Sequence, residues 1–120
     1  MANPNIVNVS AIYGKIVGQL VTTVATAIIT NTAASGKILK INSLIISNVN
    51  GTAAADITAD VYKNLTTSYR LAFTISVPAD ATLVLISKDT SIYLEENDSI
   101  RLTSSVNSYL EAVCSYEDIS

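Results

Sequence analysis

This chain of 120 residues has no histidine and no tryptophan, one cysteine, two prolines and four glycines. Each shortage excludes something. Without histidine there is no Ser–His or Cys–His nucleophile pair, and the commonest metal ligand is missing. Cys114 stands alone, so no internal disulfide and no cysteine cluster for zinc is possible. The glycines at 14, 18, 36 and 51 are too dispersed for a phosphate-cradling loop. No apolar run approaches the ~18–20 residues that span a bilayer, and no membrane partner is expected. The opening "MANPNIVNVS" lacks the charged and apolar regions of a secretory signal, so synthesis without that export route is expected.

Charge is scarce as well. Charged residues make up 14% of the chain, against about 25% in an average globular domain. The net charge is −3. The basic residues Lys15, Lys37, Lys40, Lys63, Arg70, Lys88 and Arg101 are scattered. They form no stripe, and no nucleic-acid partner is expected. Ser, Thr, Asn and Ala must therefore cover the surface. A surface poor in charge resembles the core of a protein–protein interface, which points to permanent assembly, with a monomeric Ser/Thr-rich β-protein as the alternative.

What is present in abundance is strand. β-branched and aromatic residues dominate, punctuated by Thr, Ser, Asn and Gly. No segment keeps a helical period; the best candidate, 53–60, alternates with period two. Strands are expected over 6–21, 23–30, 37–49, 54–63, 69–76, 81–88, 91–95, 99–105 and 109–119. Leu39, Ile41, Ile45 and Val49 should share one face, as should Tyr69, Leu71, Phe73 and Ile75. In "YLEAVCSY" the alternation puts Cys114 with Leu110, Ala112 and Tyr116, a buried and inert thiol. Asn50–Gly51 is a strong tight-turn signal, and Gly36 is available for a positive φ. Pro78 interrupts the ladder, with Asp80 in the turn that follows. Eight or nine strands at spacings of about 8–12 residues argue for an antiparallel β-sandwich. An eight-stranded jelly roll fits best, with an immunoglobulin-like sandwich as the alternative. Residues 1–11 form an extended N-terminal arm and 12–120 a single domain.

Candidate chemistry centres on "LEENDSIRL", residues 94–102, with three carboxylates in Glu95, Glu96 and Asp98. The stretch "EENDS" has the length and chemistry of a hairpin loop, because Asn97 and Asp98 tolerate left-handed φ. A calcium loop would space its ligands regularly and use glycine for the sharp turn. Adjacent Glu95 and Glu96 point to opposite faces of a strand and make a poor acid–base pair. No catalytic residue, metal ligand or cofactor site is assigned, and no enzymatic activity is expected. The tyrosines at 13, 62, 69, 93, 109 and 116 offer flat apolar bodies with polar tips, which leaves a host-surface glycan-binding module as one alternative.

Three stretches carry a resemblance. They are "KINSLIISNVNGTAAADITADVY", "VPADATLVLISKDTSIYLEENDSIR" and the terminal "SYEDIS". They resemble small virion structural proteins of tailed bacteriophages, of the cyanophage and marine myovirus type. In those proteins core strands lead to a proline-led turn and then a Leu–acid–x–x–Asp–Ser hairpin, occupied here by Glu95, Asp98 and Ser99. The resemblance implies a non-enzymatic virion protein, assembled in the host cytoplasm, most simply a capsid decoration or cement protein. Neck, tail, fibre and baseplate roles are the alternatives. It implies a homo-oligomer, with a trimer favoured, and partners such as the major capsid protein. The arm would add as a strand to a neighbouring sheet, through Pro4, Ile6, Val7, Val9, Ile12 and Tyr13. Asn50, Gly51, Pro78, Asp80, Glu95, Asn97 and Asp98 would be structural turn residues.

Overall fold

The computed structural model describes residues 3–120. Nine strands are present among them: β1 (Ile12–Leu20), β2 (Thr26–Thr30), β3 (Ile38–Asn48), β4 (Ala55–Lys63), β5 (Thr67–Val77), β6 (Thr82–Ile86), β7 (Ile92–Leu94), β8 (Ser99–Ser104) and β9 (Leu110–Ile119). One 3-10 turn, Lys88–Thr90, separates β6 from β7. One sheet has the order β1-β9-β3-β6, with β7 continuing beside β3; the other has the order β2-β8-β4-β5. Every pairing is antiparallel. β6 and β7 share one edge position against β3, so nine strands fill eight places. This is the jelly roll, and the strand order sets aside the immunoglobulin-like alternative.

The core lies between the sheets. Ile41, Leu44, Ile46 and Leu94 from one meet Ile57, Ile100 and Leu102 from the other, all fully buried. Cys114 is buried with Leu110 and Ala112 on β9, as the alternation requires. Burial pushes its thiol up to about 11.

The face expected on β3 is broken by a bulge, and on β5, where the register also shifts, the four residues expected together are all exposed. On β3 the register against β9 shifts between Ile41 and Ser43. A bulge of this kind adds one residue and flips everything beyond it. Leu39 and Ile41 point inward, but so do Leu44 and Ile46, while Ile45 is half-buried and Val49 exposed. On β5 the register shifts around Ala59, whose partner is Ala72. Ala72 is therefore the buried residue there, and Tyr69, Leu71, Phe73 and Ile75 are all exposed. Thr74 adopts a φ of 50°, and its N–H donates to Thr58 Oγ1 at 3.1 Å.

Six of the eight connections pass from one sheet to the other. Two buried asparagines fasten these corners. Asn31 Nδ2 donates to the carbonyls of Lys37 (3.0 Å) and Leu94 (2.9 Å). Asn48 Nδ2 donates to those of Ala53 (3.0 Å) and Val77 (2.9 Å), and its Oδ1 accepts from Asn50 N–H at 2.8 Å. Amide side chains suit this work because one group both donates twice and accepts. β4 and β5 are joined directly by a hairpin, in which Asn64 and Leu65 have φ of 53° and 55°. Both signs are those a type I′ turn requires.

Candidate interaction surface

The outer face of the β1-β9-β3-β6 sheet is built by the alternation that fills the core. Val17, Cys114 and Leu44 point inward, so their neighbours point out. One row crosses the whole sheet: Gly18 pairs with Val113, Val113 with Ile45, and Ile45 with Val84. Val84 is 57% exposed and Val113 41%. The row beside it runs Leu20, Glu111, Ser47 and Thr82. On the other side Ile16, 70% exposed, leads to Ser115 and Ser43. Across these three rows Glu111 is the single charge. The charge deficit seen in the composition is thus visible on these rows, which none of the described residues covers.

The sheet edges add to this surface. β5 is an edge strand of 11 residues. It displays Tyr69, Leu71, Phe73 and Ile75, and the Arg70 guanidinium lies 5.0 Å from the Phe73 ring centroid. An edge strand offers unpaired backbone groups to any strand that approaches. The β5 bulge twists part of this edge, a common device against indiscriminate pairing.

The N-terminal residues assigned to an interface lie beside the C-terminus. Ser10 and Ala11 N–H groups donate to Ser120 O at 2.7 and 3.0 Å, and Ser120 N–H donates to Ala11 O at 2.9 Å. Ile12 and Tyr13 are exposed residues of β1. Pro4 and Val9 are half-buried, Ile6 is exposed and Val7 is 91% exposed. The alternation through 6–9 is not realised as a straight strand. Asn5 accepts from Val7 N–H through Oδ1 (3.0 Å) and from Asn8 N–H through its carbonyl (3.0 Å), which turns the chain, as asparagine side chains readily do.

The acidic stretch is a corner between sheets and not a hairpin, since β7 and β8 belong to different sheets. Asp98 is buried, and both of its oxygens are occupied. Oδ1 accepts from Asn64 N–H (2.9 Å); Oδ2 accepts from Lys63 Nζ (2.8 Å) and Glu95 N–H (3.0 Å). Asn97 carries the left-handed turn, with φ 70°, and its N–H donates to Asn31 O at 2.8 Å. Glu95 is exposed and pairs with Lys63 at 2.9 Å and Asn3 Nδ2 at 2.9 Å. Lys63, then Asn3, hold its carboxyl below the usual range. Glu96 Oε2 accepts from Gly36 N–H at 2.6 Å, and Gly36 has φ 68°. Among the described residues no three His, Cys, Asp or Glu side chains are placed to hold a metal ion.

The other corner joins Asn50, Gly51, Pro78 and Asp80. Asn50 Oδ1 accepts from the N–H groups of Thr52 (2.8 Å) and Ala53 (2.9 Å). Asp80, with φ 59°, donates its N–H to Asn50 O at 3.2 Å. β5 ends at Val77, just before Pro78. Asn50–Gly51 links β3 to β4 across the sheets, so the tight turn makes a corner and not a hairpin. The most exposed tyrosines, Tyr13, Tyr69 and Tyr93, sit on β1, β5 and β7. Tyr69 is thus on the opposite sheet from the other two, and the three form no common platform.

No protein-family model matches the chain, and no curated protein matches it in sequence. Among solved structures it is similar to a chain described under the words "Bacillus endospore appendages form a novel family of disulfide-linked pili". The TM-score is 0.54 at 14% identity, over 92% of this chain and 87% of that one. A likeness at this identity concerns the fold.

Proposed function

We propose that this protein is a non-enzymatic structural subunit that assembles through its sheet surfaces. The observation that carries this reading is the outer face of the β1 sheet: three strand-crossing rows with Ile16, Leu20, Ile45, Val84 and Val113 and one charge among them. Apolar, charge-depleted surface of this kind is stabilised when a partner covers it. On the sequence resemblance, the particle is a tailed-phage virion. The subunit then decorates or cements the capsid shell as a homo-oligomer, a trimer being favoured, against the major capsid protein. Neck, tail or fibre attachment is the alternative placement.

The experiment is a comparison of wild type with Val113→Asp by light scattering after gel filtration. Wild type is expected as an oligomer and Val113→Asp as a folded monomer. A monomeric wild type at all concentrations removes the reading. Deleting residues 1–11 is expected to abolish binding to particles while the fold survives, and normal occupancy by the truncated chain removes the arm from the mechanism. Copy number per purified particle separates a shell position, with many copies, from a vertex position with few.

A second reading is favoured by the fold shared with the pilus chain: stacking of copies into a filament. Such a filament would differ from a disulfide-linked one, because Cys114 is fully buried in the described fold. Electron microscopy of concentrated protein, with and without reductant, distinguishes it. Filaments that dissolve on reduction contradict this version.

A further inference from the structure

We propose that the cleft between β2, the loop at 31–37 and the ends of β3 and β9 is a saccharide site, taking one ring of a neutral, hydroxyl-rich glycan. The cleft measures about 310 Å³, at the small end of ligand sites. It lies between the edge strand β2 of one sheet and the ends of the interior strands β3 and β9 of the other. Ile29, Leu39 and Tyr116 supply apolar wall, suited to the C–H face of a sugar ring.

Asp118 is the anchor. Its side chain is only 7% exposed, and it lines the cleft. Lys15 Nζ (2.9 Å) and Lys37 Nζ (3.2 Å) both donate to Oδ2. Oδ1 accepts nothing from the described residues. That oxygen is not among the buried unpaired atoms and so is open to the cleft, where an entering hydroxyl can donate to it in place of water. Lys37 has three N–H groups and gives one to Asp118, so the ammonium can also meet a second hydroxyl oxygen. Neighbouring hydroxyls of a pyranose match this acceptor beside a donor. Asn31 lines the same cleft, but its amide is committed to Lys37 O, Leu94 O and Ser35 Oγ. It shapes the wall.

Asp118 and the two ammonium groups are already paired with one another, so the capacity they turn to the cleft is for hydrogen bonds, which the hydroxyls of a neutral polyol match. Thr30 and Thr32 add hydroxyls to the lining that can donate or accept. The site is separate from the outer sheet face argued for assembly, and it differs from a surface of exposed tyrosines.

The test is an amide NMR titration of the isotopically labelled chain with the methyl glycosides of glucose, galactose, mannose and N-acetylglucosamine. The Val113→Asp background keeps assembly out of the readout. At least one sugar is expected to give saturable shifts at 29–32, 35–39 and 116–118. Asp118→Asn is expected to weaken that binding roughly tenfold or more, the scale of a charge-assisted hydrogen bond. Thr32→Trp, at an exposed position on the rim, is expected to abolish it. If Asp118→Asn fails to fold, Thr32→Trp decides. No saturable shift with any of the four sugars overturns the proposal. So do shifts centred on Tyr13, Tyr69 or Tyr93, and so does Thr32→Trp binding like the parent.

Discussion

Val17 faces Cys114 directly across the β1–β9 ladder. Cross-strand partners in an antiparallel pair have Cα atoms about 4.5–5.5 Å apart, within the range a disulfide bridges. Val17→Cys is therefore expected to form a bond with Cys114 under oxidising conditions. Mass spectrometry and non-reducing gels check it. A register one residue different puts Val113 or Ser115 opposite position 17, and no bond forms. A bond between two chains instead of within one reveals that β1 is exchanged between copies. In the unmodified protein the same thiol, pushed up to about 11 by burial, is expected to react with thiol reagents only after unfolding.

Asn48 tests the corners. Its amide serves two carbonyls and one N–H at 3.0, 2.9 and 2.8 Å. Asn48→Ala leaves those buried groups unpaired and is expected to cost about 2 kcal/mol or more. Urea denaturation should show a lower midpoint at an unchanged slope. An unchanged midpoint removes the stapling role.

Leu65 is expected to be a site of easy gain. It is exposed and held at φ 55°, a conformation that costs most side chains roughly 1–2 kcal/mol. Leu65→Gly creates Asn–Gly at the two central turn positions, the pair best suited to a type I′ hairpin. Part of that relief is lost to the freedom glycine regains on unfolding, so a net stabilisation of about 0.5–1 kcal/mol is expected. Destabilisation would contradict the left-handed geometry.

Acid is expected to weaken the fold through Asp118. Burial alone raises its carboxyl, but the ammonium groups of Lys15 and Lys37 outweigh burial and hold it below its ordinary value of 3.8. A folded value below the unfolded one means stability that is fully present above about pH 4 and lost as pH falls through the folded value. Glu95 adds in the same direction through Lys63. NMR titration of the side-chain carboxyl should place Asp118 below its ordinary value in wild type and higher in Lys37→Met. A wild-type carboxyl above that value contradicts the pairing.

Strand positions were legible because alternation and turn residues bracket them. The 54–63 stretch reads as a strand from its period of two and is one. What could not be read is phase beyond a bulge. At Ile41–Ser43 and around Ala59 the register shifts depend on neighbouring strands, and no local pattern announces them. Leu44 and Ile46 therefore took the places expected of Ile45 and Val49. Asn31 and Asn48 were missed for a related reason: an asparagine before a loop looks like a solvent-facing turn residue until the carbonyls around it are known. The acidic stretch gave its left-handed Asn97 correctly, but two strands flanking a short loop do not say whether they pair or part. The cleft at Asp118 joins residues from 29 to 118 and exists only after folding. The exposed apolar face left its trace as a shortage of charge, without an address.

The hydrogen bonds of Ser10 and Ala11 to Ser120 bring residue 10 beside the final residue. A short peptide joining that region to Ser120 would close the ring with little distortion, and the Asn64–Leu65 loop is a natural place to reopen it. A circularly permuted chain of this kind should fold to the same sandwich. In the original order, a fusion partner attached at Ser120 would emerge at the rim where the chain enters β1, leaving the outer sheet face unobstructed.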